Sequence, residues 1–280
     1  MDLSLLRCRE SGMLGCMDLQ LRGKTAFVTG STAGIGFAIA RLLAAEGATV
    51  IVNGRAEARV AEAIQRIRAE VPGADLRPLA IDLATAAGSA AATAALPDVD
   101  ILVNNLGIFE PKPFEEITDP DWYRFFEVNV MSGVRLSRAY LPGMKARNWG
   151  RIVFISSESG VQIPSEMVHY GFTKTAQLAL SRGLAELTAG TGVTVNAVLP
   201  GPTSSEGVSQ FVDDLAERTG QSRADVESRF FREVRPTSLI QRFATVEEVA
   251  NLVAYVCSPL SSATNGAALR VDGGVVRSII

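Results

Sequence analysis

Tyr170 and Lys174 stand four residues apart in a stretch with helical periodicity, so their side chains share one helix face. A phenol with a pKa near 10 exchanges protons poorly at neutral pH. An ammonium about 4 Å away, at an effective dielectric near 20, contributes roughly 4 kcal/mol, enough to lower the phenol by up to about three pKa units. The pair is thus a candidate acid and base for proton transfer to or from an oxygen. Tyr-x-x-x-Lys alone is a weak signal, because the spacing arises by chance on many helices. Its setting strengthens it: Ser156-Ser157 closes a predicted strand, and Ser157 lies thirteen residues before Tyr170.

A second constellation, Thr29-Gly30-Ser31-Thr32-Ala33-Gly34-Ile35-Gly36, joins the first predicted strand to the first predicted helix. Glycines there allow a tight turn and let a phosphate reach the backbone, and the helix start offers unpaired N–H groups to a pyrophosphate. A plain glycine turn is the alternative reading. The end of the second strand reads Val52-Asn53-Gly54-Arg55, with no acid to accept from a ribose 2′-hydroxyl. Arg55 is either a bidentate partner for a 2′-phosphate or a solvated loop arginine. The first reading favours NADP(H) over NAD(H).

Other chemistry finds little support. The single histidine, His169, and three scattered cysteines, Cys8, Cys16 and Cys257, cannot assemble a His/Cys metal cluster, so no metal is expected. The absence of a disulfide framework fits a reducing cytoplasm. Net charge is −3 and no basic run is present, which argues against nucleic acid. No apolar run reaches the roughly 20 residues that span a bilayer. His169 points about 100° around the helix from Tyr170 and reads as a packing or interface residue. Glu158 could face solvent or a substrate pocket.

These residues need a frame. Predicted strands at Thr25–Thr29, Thr49–Val52, Leu76–Ile81, Ile101–Val103, Arg151–Ser156, Val193–Val198 and Ala268–Val271 alternate with predicted helices at Gly34–Glu46, Ala56–Glu70, Pro120–Tyr140, Glu166–Thr188 and Val246–Cys257. The alternation predicts a single α/β domain over 21–280, a doubly wound, Rossmann-type parallel sheet in three layers with ligands at the strand C-termini. Residues 1–20 mix charges into short apolar stretches and are expected outside the fold, with Met13 or Met17 as a later start. Residues 204–236 carry two apolar stripes (Val208, Phe211, Val212 and Leu215, then Val226, Phe230 and Val234), read as a substrate lid or as a fixed helical pair in an oligomer interface.

The chain resembles the short-chain dehydrogenase/reductase family, in its compact single-domain branch similar to 3-oxoacyl-carrier-protein reductases. The matches are Thr29–Gly36, Asn104-Asn105-Leu106-Gly107, Asn129, Ser157, Tyr170 to Lys174, and Pro200-Gly201, within a resemblance running from Leu21 to Gly274. It implies an oxidoreductase that exchanges a ketone or aldehyde with an alcohol by hydride transfer. Tyr170 would be general acid and base, Lys174 would lower its pKa and hold the ribose, and Ser157 would bind the substrate oxygen. Asn129 would hold a water linking Lys174 to solvent. The implied cofactor contacts are Gly30, Ser31, Thr32, Gly34, Ile35, Gly36, Asn53, Arg55, Asp82, Leu83, Asn104, Gly107, Tyr170, Lys174, Pro200, Gly201, Thr203 and Ser205. A homodimer or homotetramer is implied too. Departures are Leu106, where the family usually has alanine, Ser205, where a threonine is frequent, and Ala33, which leaves Arg55 with Ser31 and Thr32 for a phosphate. A non-catalytic NADP(H) sensor, or isomerase or dehydratase use of the same cofactor, is the alternative.

Overall fold

Seven short segments, most of them rich in apolar and β-branched residues, form one parallel sheet in the order β3-β2-β1-β4-β5-β6-β7. They are β1 (Thr25–Val28), β2 (Thr49–Gly54), β3 (Leu76–Ala80), β4 (Ile101–Asn104), β5 (Gly150–Ile155), β6 (Val193–Pro200) and β7 (Ala268–Val271). The computed structural model describes residues 18–279, apart from five side chains (210, 211, 214, 215 and 219). Cys8, Cys16 and most of the expected N-terminal extension therefore lie outside the described residues, as do the side chains of Phe211 and Leu215.

Alternation along each strand sends successive side chains to opposite faces. Ala26, Val28, Val50, Val52, Val153 and Ile155 enter one core, while Phe27, Ile51, Leu102, Ile152 and Phe154 enter the other. The first core is closed by α1 (Gly34–Ala45), α2 (Glu57–Glu70) and α9 (Val246–Cys257). The second is closed by α3 (Ala86–Ala95), α5 (Ser132–Ala146) and α6 (Val168–Glu186). With both faces covered, the inner strands read as continuous apolar runs. The doubly wound sheet expected from the alternation is what forms.

The elements differ from expectation where local pattern was uninformative. Helix α3, in an alanine-rich stretch without apolar contrast, was not anticipated; Thr85 caps it by accepting from Gly88 N at 2.9 Å. The single helix expected over Pro120–Tyr140 is α4 (Asp119–Phe126), then a π turn at Glu127–Met131, then α5, which continues through Pro142. Leu19, expected outside the fold, is 8% exposed and packs in the first core. Its amide donates to Glu46 Oε2, so the fold includes this residue.

The segment after β6 leaves the sheet and returns at a parallel bridge between Thr203 and Ala244. Between them lie α7 (Glu206–Thr219), capped by Ser205, and α8 (Arg223–Glu233), capped by Ser222. Phe230, Phe231 and Phe243 have ring centres 5.1 Å apart, with Phe243 stacked on Phe230 and edge-on to Phe231, and tie α8 to the chain just before Ala244.

Candidate active site

Strand order reverses between β1 and β4, which opens a crevice at the strand C-termini. The glycine loop forms its floor. Gly30 adopts φ +61°, a left-handed turn that a side chain rarely tolerates. A methyl group at Gly36 would collide with the Gly30 carbonyl and with Asn105 Nδ2, so helix and turn need glycine to approach this closely. Asn105 braces the loop by donating to Thr29 O (2.9 Å) and Gly30 O (3.1 Å). The N-cap of α1 is Ala33, with no side-chain cap and no acid in the first turn. The first N–H groups of α1 thus point into the crevice without an internal acceptor, which is the donor set a pyrophosphate requires.

The catalytic candidates converge on the opposite wall. Ser157 follows β5 and accepts from Ser159 N at 3.1 Å. Ser156 Oγ donates to Lys174 O (2.9 Å) and pins α6 to the end of β5. Lys174 Nζ, 5.5 Å from the centre of the Tyr170 ring, donates to Ile155 O (2.9 Å) and Gln177 Oε1 (3.3 Å). Burial pushes the Lys174 amine down to about 7. Burial also pushes the Tyr170 phenol up to about 12, against a smaller downward pull from the Ser157 side chain. The lowering of Tyr170 by Lys174 expected from the spacing is not what this arrangement gives: burial is the largest influence on both groups, and the lysine nitrogen is directed at the β5 carbonyl.

Asn129 sits in the π turn, 1% exposed. Its Oδ1 accepts from Ile108 N (2.8 Å), and its Nδ2 donates to Ile108 O and Thr173 Oγ1, both at 3.0 Å. Its carbonyl accepts from Gln177 Nε2 at 2.6 Å. Gln177, which sequence reasoning missed, thus bridges Asn129 and Lys174 where the resemblance implied a water. The only sequence signal was a polar residue three positions after Lys174 on the same helix face.

Ile35, Gly107, Ser157, Tyr170, Lys174, Pro200, Gly201, Thr203 and Ser205 come together around one cavity of about 600 Å³. Several other expected residues lie outside that lining, and most of them are held by protein partners around it. Ser31 Oγ, fully buried, donates to Val28 O and accepts from Asn53 N. Asn53 accepts from Gly30 N (3.0 Å) and donates to Leu79 O and Ile81 O, so it spans β2, the loop and β3. Asn104 turns away toward Ser137 Oγ, whereas neighbouring Asn105 faces the cavity. Leu83 is buried in the second core, and Asp82 is exposed at the end of β3, accepting from Ala84 N. Gly30, Gly34 and Gly36 shape the loop. Thr32 packs against Gly54, beside exposed Arg55, at the tip of β2.

Roofing the cavity are α7 and α8, with Val208, Val212, Val226 and Phe230 turned inward. Glu158 faces this pocket rather than solvent and pairs with Arg235. His169 is fully buried against Phe125, ring centres 4.0 Å apart, and burial lowers its pKa, in keeping with the expected packing role. Cys257 is buried and its thiol is pushed up to about 12. Among the described residues no cluster of three potential metal ligands occurs, and no helix is long and apolar enough to cross a membrane.

The short chain dehydrogenase family model matches residues 24–216. The chain is 54% identical over 263 residues to the uncharacterized oxidoreductase YvaG of Bacillus subtilis, covering 94% of this chain and 100% of that protein. It is 35% identical to a D-beta-hydroxybutyrate dehydrogenase of Cupriavidus necator, covering 91% of this chain and 99% of that protein. L-sorbose reductase from Gluconobacter frateurii, solved with NADPH and L-sorbose, superposes with a TM-score of 0.86 at 32% identity, over 94% of this chain and 100% of that one. Family model, relatives and the Ser157–Tyr170–Lys174 wall facing a glycine loop agree: the chain belongs to the short-chain dehydrogenase/reductase family of oxidoreductases.

Proposed function

We propose that the protein is an NADP(H)-dependent reductase and dehydrogenase that interconverts a ketone or aldehyde and an alcohol. The observation that carries this reading is the placement of Ser157, Tyr170 and Lys174 on one wall of a cavity whose floor is the uncapped start of α1. A bound reduced nicotinamide supplies the hydride. In reduction the carbonyl carbon gains that hydride and the carbonyl oxygen gains the Tyr170 proton, giving alcohol, oxidised cofactor and a tyrosinate to be reprotonated from solvent. Ser157 Oγ donates to the same oxygen as negative charge grows on it. Lys174 would donate to the ribose hydroxyls of a bound cofactor and, in its charged form, would stabilise the transient tyrosinate. Gly107, whose missing side chain leaves room beside Asn129 and Lys174, lets the ribose approach.

Arg55 and Thr32 are the groups suited to a 2′-phosphate, and the NADPH in the L-sorbose reductase structure supports this reading. Helices α7 and α8 act as a lid over an apolar substrate body, a cover that excludes water from hydride transfer. Exposed Tyr123 (73%) and Phe172 (51%), on α4 and α6, offer an apolar face for a homodimer or homotetramer in the cytoplasm.

The deciding experiment is turnover of a carbonyl panel by wild type and Tyr170→Phe, followed by NADPH absorbance. Loss of the proton donor lowers kcat by about 10²–10⁴ while the cofactor Kd stays nearly unchanged. A variant that kept more than about a tenth of the wild-type rate would contradict the assignment of Tyr170.

A further inference from the structure

The charged groups around the substrate half of the cavity are paired among themselves. Arg235, 8% exposed, donates from Nε to Glu158 Oε1 (3.0 Å) and from Nη1 to Glu166 Oε1 (3.0 Å). Glu158 is 4% exposed and directly follows Ser157, so this network adjoins the reacting centre. Arg229 donates to Glu233 Oε2 at 2.9 Å. Beyond Lys174, then, the described charged side chains that line the cavity are two arginines and three glutamates, each arginine already engaged by carboxylate. The remaining walls include Phe109, Met167, Val208, Val226, Phe230 and Phe243.

We propose that this half of the cavity takes an uncharged carbonyl compound with an apolar body and turns away carboxylates and phosphates, because both of its arginines are held by glutamates. The proposal rests on the carbonyl–alcohol reading above and names the substrate class for that site. A carboxylate entering here would shed its water only to compete with the glutamates that already hold buried Arg235 and the more exposed Arg229, and with three glutamates set against two arginines and Lys174 no net positive charge draws it in. An ester, ketone or hydroxyl-bearing chain would shed little and gain contact with the aromatic and branched walls. The site would thus differ from that of an enzyme acting on a carboxylate such as D-beta-hydroxybutyrate, despite the similarity of the chains.

The test uses the full-length protein with NADPH or NADH and three matched ester and acid pairs: ethyl acetoacetate and acetoacetate, ethyl levulinate and levulinate, methyl benzoylformate and benzoylformate. Each ester is expected to exceed its acid in kcat/KM by about ten- to a hundredfold, the scale of one missing charge-assisted hydrogen bond. Glu158→Gln keeps the shape of the side chain and releases part of the Arg235 charge, so the ester-to-acid ratio should fall about tenfold. Glu166→Gln, whose side chain is 40% exposed, releases the same arginine from its other partner with less disturbance of the fold, and the ratio should fall likewise. Acids turned over as well as esters by the wild type would overturn this proposal and leave the carbonyl reading standing. A ratio unchanged in both variants would remove Arg235 from the account. No turnover of any of the six compounds would overturn the carbonyl reading and this proposal with it.

Discussion

Lys174 is the residue at which burial and function pull in opposite directions. A lysine 4% exposed has its pKa brought by burial from 10.5 to about 7, so the folded chain gives up this proton far more readily than the unfolded one. The unfolded chain still holds that proton up to its ordinary pKa, so between about pH 7 and 10.5 unfolding takes up a proton. Stability from this group is fully present above 10.5 and is lost as pH falls to about 7. Replacing it by Lys174→Met, neutral at every pH, should remove that slope. Across pH 7 to 9 the wild type should gain about 2 kcal/mol relative to the variant, or roughly 4–8 °C in Tm. The window stops at 9 because the Cys257 thiol, raised from 9.0 to about 12, contributes with the opposite sign above it. Thermal melts of both ligand-free proteins at several pH values check this; parallel curves would mean that Lys174 stays charged in the folded state.

At the scale of the element, the tip of β2 illustrates how a strand end sorts its residues. Asn53, fourth of the five residues of β2 paired with β3, is 2% exposed and spends its amide on Gly30, Leu79 and Ile81. Ser31 is similarly spent. The 2′-phosphate contact proposed above then rests on Arg55, which is exposed, together with Thr32. NADPH should bind more tightly than NADH, and Arg55→Ala should weaken NADPH by about ten- to a hundredfold while moving NADH little. Fluorescence titration of both cofactors with both proteins measures the difference; equal wild-type affinities would dismiss the 2′-phosphate contact. The π turn makes a related point about helices. The slip of the ladder at Glu127–Met131 leaves Val128 O to be taken up by Ser132 Oγ (2.6 Å), and the same turn carries Asn129, whose side chain holds the Ile108 backbone and whose carbonyl accepts from Gln177.

The whole molecule divides into a sheet buried on both faces and a helical excursion outside it. Among the described residues, the segment between Thr203 and Ala244 is tied to the body at that bridge, through Leu239 N and Ile240 N to Gly273 O, through Thr237 Oγ1 to Val275 O, and by ion pairs of Arg235 with Glu158 and Glu166 and of Glu206 with Arg66. Attachment by side-chain and loop contacts rather than by sheet pairing predicts earlier local opening than in the strands. Amides of 204–236 should exchange with solvent quickly in the free protein and slow with NADPH plus a substrate analogue, while β1 exchanges slowly throughout. Hydrogen-exchange mass spectrometry reads this directly. Protection of 204–236 equal to that of Thr25–Val28 in the free protein would show a fixed helical pair in place of a lid.

Much of this protein was legible in its residues taken in order. Tyr170 and Lys174 meet because a helix brings every fourth residue back to one face, and the glycine loop follows a strand because both signals are local. The alternation of apolar runs with amphipathic stretches was enough to state the doubly wound sheet. Alanine-rich α3 and the π turn escaped, since neither carries a periodic contrast between apolar and polar positions. Tertiary structure alone decided which neighbour faces the cavity, Asn105 rather than Asn104, and that Asn53 is held by backbone partners at the tip of β2. It also decided that Tyr170 stays high while Lys174 falls, because desolvation depends on what the rest of the chain piles around a group. Gln177 between Lys174 and Asn129, and Arg235 on Glu158 across 77 residues of sequence, join elements that only the topology brings together. Spacing along a chain reports what one element can do, whereas contacts between elements exist only once the sheet has ordered them.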